Sequence, residues 1–272
     1  NIHHQGQQGP GHLGCLWIAF HQRASKKVRQ EGDFRTSCLI YPKNMFQYML
    51  DLWMLFFPVN CLVCGKRLPS TREILCFTCE HGMPKTGYGK RMDNPVCQTF
   101  WGRVPVRMAT SLFRFEKGSA YQELLHDLKY RGHRKAGVYL GRLLGHELLH
   151  TPFCSCDLLL PVPLHPVRLR QRGYNQSEII ARGCSEITGI PLETRLLIRK
   201  GRHRSQTHMG RQERFENVCE EFSLVRRPRD IQGFKVLIVD DVITTGATLE
   251  ACCRVLLSRF SCEIYVATVS CA

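Results

Sequence analysis

The stretch Val236–Glu250, VLIVDDVITTGATLE, decides how this chain is read. Four apolar residues end in the adjacent carboxylates Asp240 and Asp241, and the loop Val242 to Thr248 then opens a helix. Ligands of open α/β sheets bind beyond the carboxyl ends of the strands, where such a loop offers backbone N–H groups and a helix N-terminus to an anion. Thr244, Thr245, Gly246, Ala247 and Thr248 form this cradle, with threonine hydroxyls and a glycine allowing close approach to phosphate oxygens. Carboxylates repel phosphate unless they have another task, such as accepting hydrogen bonds from sugar hydroxyls. The pattern asks for a sugar phosphate. No G-x-x-x-x-G-K-[ST] string occurs, which excludes a nucleotide P-loop, and no G-x-G-x-x-G string occurs within 96–272, which excludes the dinucleotide fingerprint there.

On both sides of this stretch apolar strands alternate with amphipathic helices. Strands are expected over Ser111–Phe115, Asp157–Val162, Lys235–Asp241 and Glu263–Val269, and helices over Ala120–Tyr130, Val138–His150, Asn175–Thr188 and Thr248–Phe260. In the last helix Leu249, Cys253, Leu256 and Phe260 share one stripe. Such alternation predicts a mostly parallel sheet with helices on both faces, an α/β domain over 96–272. Gly137, Gly141 and Gly145 are spaced for close helix packing inside a soluble domain, since Arg142 and His146 interrupt the segment.

The part before this domain differs. Residues 1–44 are biased toward His, Gln and Gly, show no hydrophobic period and contain no methionine, and are expected to be a disordered or non-native leader. Residues 45–95 form a second unit: a short apolar helix from Met45 to Phe57, a cysteine motif, and a Gly/Pro-rich linker from Gly82 to Pro95. The helix is too short to span a bilayer, and no integral membrane segment is expected. Cys61 and Cys64, then eleven residues, then Cys76 and Cys79, make two C-x2-C knuckles. Their four thiolates suit a structural, tetrahedral Zn2+ site, with an iron centre or an unmetallated remnant as the alternatives. Thiolate chemistry of this kind points to a reducing compartment, hence the cytoplasm.

The 272-residue chain carries 38 Lys and Arg against 23 Asp and Glu, a net charge of +15, so polyanionic partners are expected. Two basic segments matter. In Asp157–Ser177, DLLLPVPLHPVRLRQRGYNQS, a buried strand runs into a proline-stiffened turn, and Arg168, Arg170 and Arg172 follow where a pyrophosphate could lie. Arg195 to Arg214 holds Arg195, Arg199, Lys200, Arg202, Arg204, Arg211 and Arg214 against Glu213 alone. That run could close over pyrophosphate, contact a nucleic-acid backbone, or be a solvated surface.

The V-D-D-V-I-T-T-G-A-T stretch resembles the binding motif of type I phosphoribosyltransferases for 5-phosphoribosyl 1-pyrophosphate (PRPP). With the double C-x2-C motif and the strings P-V-P-L and R-G-Y-N-Q, the chain from about Phe57 to Val269 resembles the ComF family, associated with bacterial DNA uptake during natural transformation. The resemblance implies a type I phosphoribosyltransferase-like domain behind a small zinc ribbon, PRPP bound with Mg2+, and a possible pentosyl transfer. It assigns Asp240 and Asp241 to the ribose hydroxyls, Thr244–Thr248 to the 5-phosphate, and Val162, Pro163 and Leu164 to the pyrophosphate loop. A flexible loop over Arg199–Asn217 would contribute Gln206, Arg211 and Arg214. The alternative it leaves open is a non-enzymatic DNA-uptake factor that binds single-stranded DNA or a helicase partner on a retained PRPP-type fold. His126 and His133 flank Leu128–Arg131 (LKYR), which recurs in the family and is expected near the base of the sheet; both histidines read as structural. Cys97, Cys154, Cys156, Cys252 and Cys253 read as bystanders.

Overall fold

The computed structural model describes residues 58–70, 74–115, 118–130, 132–200 and 221–272, together with Met49, Leu52 and Phe56. The leader over 1–44 lies outside the described residues. Of the expected helix over Met45–Phe57, only Met49, Leu52 and Phe56 are described, and all three are helical. The named elements all fall in the compact unit Phe56–Ala272.

Four parallel strands form the sheet in the order β1 (Val106–Arg114), β6 (Glu263–Cys271), β5 (Lys235–Ile243), β2 (Leu158–Pro161). The register aligns Pro161 with Val239 and Val239 with Ala267, so the carboxyl ends of β2, β5 and β6 lie side by side. Val236 to Val239 are fully buried because a parallel strand is covered on both faces. β3 (Leu197–Arg199) and β4 (Phe222–Leu224) pair antiparallel away from the sheet.

The helices are α1 (Phe77–His81), α2 (Pro95–Gln98), α3 (Ala120–Tyr130), α4 (Arg134–Leu148), α5 (Pro166–Arg172), α6 (Gln176–Thr188) and α7 (Ala247–Leu257). Leu140, Leu144 and Leu148 of α4, and Ile180, Ala181 and Cys184 of α6, bury against one face of the sheet with Leu237, Val239 and Ala267. Leu249, Cys252, Cys253 and Leu256 of α7 bury against the other face with Val236, Ile238 and Val266. The chain therefore leaves β2 toward one face and β5 toward the other. Neighbouring strands whose connections diverge in this way leave a crevice at their carboxyl ends, where ligands of such sheets bind.

The glycine spacing works as expected. A Cβ at Gly141 would sit 2.0 Å from the carbonyl oxygen of Ile180, and one at Gly183 would sit 2.1 Å from that of Val138. Only glycine lets α4 and α6 approach this closely, and that approach fixes the start of α6 at the sheet end.

The expected boundaries hold best for α3. The helix read as Val138–His150 begins earlier, at Arg134, because the polar first turn hid its start. β1 extends back to Val106, since Thr110 and Ser111 are buried in it despite their polarity. The segment after the P-V-P-L turn is not a loop throughout. His165 accepts the Val167 N–H at 3.2 Å, Pro166 occupies the first helical position, and Gly173 closes α5 at φ 74°. Leu68, Leu75 and Met83 around the cysteine motif share one buried cluster with Leu124, Leu128 and Leu140. Among the described residues, no helix is long and apolar enough to cross a membrane.

Candidate functional site

A cavity of about 320 Å3 opens at the carboxyl ends of β5 and β2. Val162, Pro163 and Leu164 line it after β2, and Asp240, Asp241, Val242, Thr244 and Thr248 line it from β5 and the loop beyond. Arg168 and Arg172 of α5, Lys129 of α3 and Arg199 of β3 bring cations to the same walls. The structure thus gathers the acidic pair, the threonine loop and the proline turn around one space. Thr245, Gly246 and Ala247 complete the loop without lining the cavity. Gln206, Arg211 and Arg214 lie outside the described residues.

Asp240 is buried in β5, one residue past the last one paired with β2. Its Oδ1 accepts the Ser177 hydroxyl at 2.7 Å and the Asp241 N–H at 2.9 Å. Burial and the adjacent carboxylate of Asp241 push the Asp240 carboxyl up to about 7, against the pull of Ser177, the Asp241 N–H and Lys129. Asp241 accepts the Val242 N–H at 2.8 Å, and its Oδ2 lies 3.0 Å from Lys129 Nζ. Lys129 is the residue the sequence reading missed. The LKYR string was expected at the base of the sheet, but α3 carries its lysine to the carboxyl end, where it balances one of two crowded carboxylates.

The loop is clamped from behind. Gly246 takes φ 72°, and a Cβ there would meet Thr99 Cγ2 at 2.7 Å, so this turn requires glycine. Arg103 donates to the carbonyls of Thr245 at 2.7 Å and Thr99 at 3.0 Å and pairs with Glu250. Glu250 is fully buried and also accepts from Arg254, at 2.7 Å from Nη2 and 3.0 Å from Nε. Held through the Thr245 carbonyl, the loop has no side-chain cap at the start of α7. An uncapped helix start leaves N–H donors available to an anion.

The string Arg172–Ser177 ties these parts together. Tyr174 donates to the Leu128 carbonyl, next to Lys129; Asn175 donates to the Val162 carbonyl at 2.9 Å; and Ser177 reaches Asp240. Three sides of the cavity are therefore held by six consecutive residues.

The four cysteines also converge. The sulfurs of Cys61, Cys64, Cys76 and Cys79 lie within 4.8 Å of one another, and Cys64 and Cys76 approach to 3.6 Å. Zinc–sulfur bonds of about 2.3 Å in a tetrahedron place sulfurs roughly 3.8 Å apart, so the set fits a structural Zn2+. Burial opposes ionisation of Cys61, but backbone N–H groups, including that of Cys76 at 3.3 Å from its sulfur, outweigh it and bring the thiol down to about 6. The module is bonded to the domain: Tyr121 of α3 donates to the Cys79 carbonyl at 2.7 Å, and Tyr139 of α4 donates to Glu80.

Residues 172–271 match the phosphoribosyl transferase domain. The chain is 29% identical over 147 residues to the DNA utilization protein YhgH of Salmonella typhi; the match covers 53% of this chain and 63% of that protein, less than two thirds of its length. It is 26% identical over 223 residues to competence protein F of Haemophilus influenzae, covering 75% of this chain and 93% of that one. Among solved structures, glutamine PRPP amidotransferase from Bacillus subtilis is 26% identical, covering 50% of this chain and 26% of that one, with a TM-score of 0.35. The chain carries a phosphoribosyl transferase domain match with a four-cysteine cluster ahead of it, and it is similar to curated competence and DNA utilization proteins.

Replacing Cys76 and Cys79 together with Ser is expected to lower zinc from about one ion per chain to none by elemental analysis, and to lower thermal stability through loss of the fixed Cys79 and Glu80 anchors. Unchanged zinc content contradicts the four-thiolate site.

Without ligand, the folded protein holds a proton on Asp240 up to about pH 7, whereas an unperturbed aspartate releases it near 3.8. The folded state binds the proton more tightly across that window, so this contribution to stability is complete below about pH 4 and is lost as pH rises toward 7. Asp240→Asn is expected to remove this loss and stabilise the ligand-free protein at pH 8 by on the order of 1 kcal/mol, read by thermal unfolding from pH 5 to 8. Parallel wild-type and variant curves contradict the assignment.

Proposed function

We propose that this cavity binds PRPP with Mg2+ and that the protein acts in DNA uptake or utilization. The observation that carries the reading is the chemistry gathered around one space: two carboxylates, an uncapped loop, and the cations Lys129, Arg168, Arg172 and Arg199. A ligand that combines phosphate, hydroxyls and pyrophosphate suits that set of groups. Asp240 and Asp241 accept hydrogen bonds from the ribose 2- and 3-hydroxyls, Thr244–Thr248 and the start of α7 take the 5-phosphate, and Val162–Leu164 with the cations face the pyrophosphate. Lys129 neutralises Asp241 in the empty site and stands within reach of an incoming pyrophosphate. The acidic pair supplies hard oxygen donors suited to Mg2+, which would offset pyrophosphate charge.

Turnover by such a site would be phosphoribosyl transfer. The C1–oxygen bond breaks, its electron pair leaves with pyrophosphate, and a nitrogen nucleophile attacks C1. No side chain here is needed as a covalent nucleophile; positioning and fixed charge would supply the rate. The role in DNA uptake or utilization rests on the names of the relatives. A second reading, contact with single-stranded DNA, is favoured by Arg168 and Arg170, exposed on α5 beside the cavity, and Arg226, Arg227 and Arg229, exposed before β5.

Calorimetric titration of PRPP with and without Mg2+ tests the proposal. Binding is expected in the wild type and is expected to be lost, by at least about tenfold in affinity, when Asp240→Asn and Asp241→Asn are combined, with zinc content unchanged. Retained affinity in that variant means the acidic pair does not hold the ligand.

A further inference from the structure

A further cavity, of about 380 Å3, opens between the cysteine module and the turn that joins α3 to α4. Val59, Leu62 and Ile74 wall it from the module, and Ala136 walls it from α4. Among the described residues that line it there is no Phe, Tyr or Trp and no carboxylate. Its charged groups are Arg134 and Lys135, both exposed in the first turn of α4.

The two cations differ in their ties. Arg134 is held in place: it donates to the Gly173 carbonyl at 2.9 Å and lies over the Tyr174 ring, 5.0 Å from its centre. Neither partner is an anion, so the charge of Arg134 is left unneutralised. The Lys135 side chain has no hydrogen bond or ion pair among the described residues. His133 beside them is already engaged, its Nδ1 3.5 Å from Oδ2 of the buried Asp127.

The contrast with the first cavity decides the ligand class. There charges of both signs surround the space; here aliphatic walls meet positive charge alone. Apolar walls reward each methylene taken out of water. Cations that no carboxylate neutralises favour an anionic head at the rim. With no aromatic face to stack on, a flat ring gains less than a flexible chain that follows the branched walls. The volume is near the lower end for ligand cavities, which suits one short chain and not a two-chain lipid.

We infer that this cavity binds a small aliphatic anion, a single hydrocarbon chain packed among Val59, Leu62, Ile74 and Ala136 with its carboxylate or phosphate head against Lys135 and Arg134. The site stands apart from the acidic pair and does not depend on what the first cavity holds.

Calorimetric titration of the full chain with butanoate, hexanoate, octanoate, octanol and octylammonium, each below its micelle threshold, tests the inference. Octanoate is expected to bind at least about tenfold more tightly than octylammonium, and affinity is expected to rise by up to roughly fourfold per methylene from butanoate to octanoate. Lys135→Gln is expected to weaken octanoate several-fold and octanol by less than about twofold. Val59→Phe, which fills the cavity, is expected to abolish the gain from hexanoate to octanoate with zinc content unchanged. The site is overturned if octanoate shows no saturable binding, if octylammonium binds equally well, if Lys135→Gln leaves octanoate affinity intact, or if the chain-length gain survives Val59→Phe.

Discussion

Two carboxylates sit near the carboxyl end of a strand that is buried on both faces, and the rest of the site answers the cost of placing them there. Asp240 and Asp241 repel each other where water is largely excluded, a situation that a fold dedicated to stability would avoid. The compensation comes from four directions: the Ser177 hydroxyl, two backbone N–H groups, Lys129, and the arginines across the cavity. None cancels the pair completely, and Asp240 still prefers its proton. An acidic pair left incompletely compensated offers hydrogen-bond acceptors to hydroxyl donors and oxygen ligands to a cation.

The supporting structure is rigid where that compensation originates. The close approach of α4 and α6 at Gly141 and Gly183 fixes where α6 begins, and Asn175 and Ser177 at that start reach Val162 and Asp240. The cysteine module grips α3 through Tyr121 at one end, and the other end of that helix delivers Lys129. On the opposite face, the buried Glu250 gathers Arg103 and Arg254 behind the loop. One partner of such a buried network cannot be removed cheaply, because the remaining charges are left without compensation.

Much of this was legible in the sequence because it is local. A buried strand, an acidic pair, a glycine turn and the first turn of an amphipathic helix occupy fifteen consecutive residues, Val236–Glu250, and each constrains its neighbours. The glycine stripe and the paired C-x2-C knuckles are likewise carried by spacing alone. What escaped is set by long-range register. Nothing near Lys129 in sequence says that α3 ends beside Asp241. Nothing in Arg103 says that it will hold the carbonyl of Thr245 from 142 residues away. The short α5 escaped for a different reason: the prolines that read as a turn also start a helix, and seven residues are too few to show a period.

The central claim is that one cavity spans both ends of a phosphorylated sugar carrying a pyrophosphate, with the acidic pair between them. Its most direct test is a competition in which pyrophosphate and ribose 5-phosphate are titrated separately, together, and against PRPP, in the presence of Mg2+. The account predicts that the two smaller ligands bind at the same time, at opposite ends, and that PRPP displaces both. If they exclude each other, or if PRPP displaces only one, the two ends do not belong to a single ligand site.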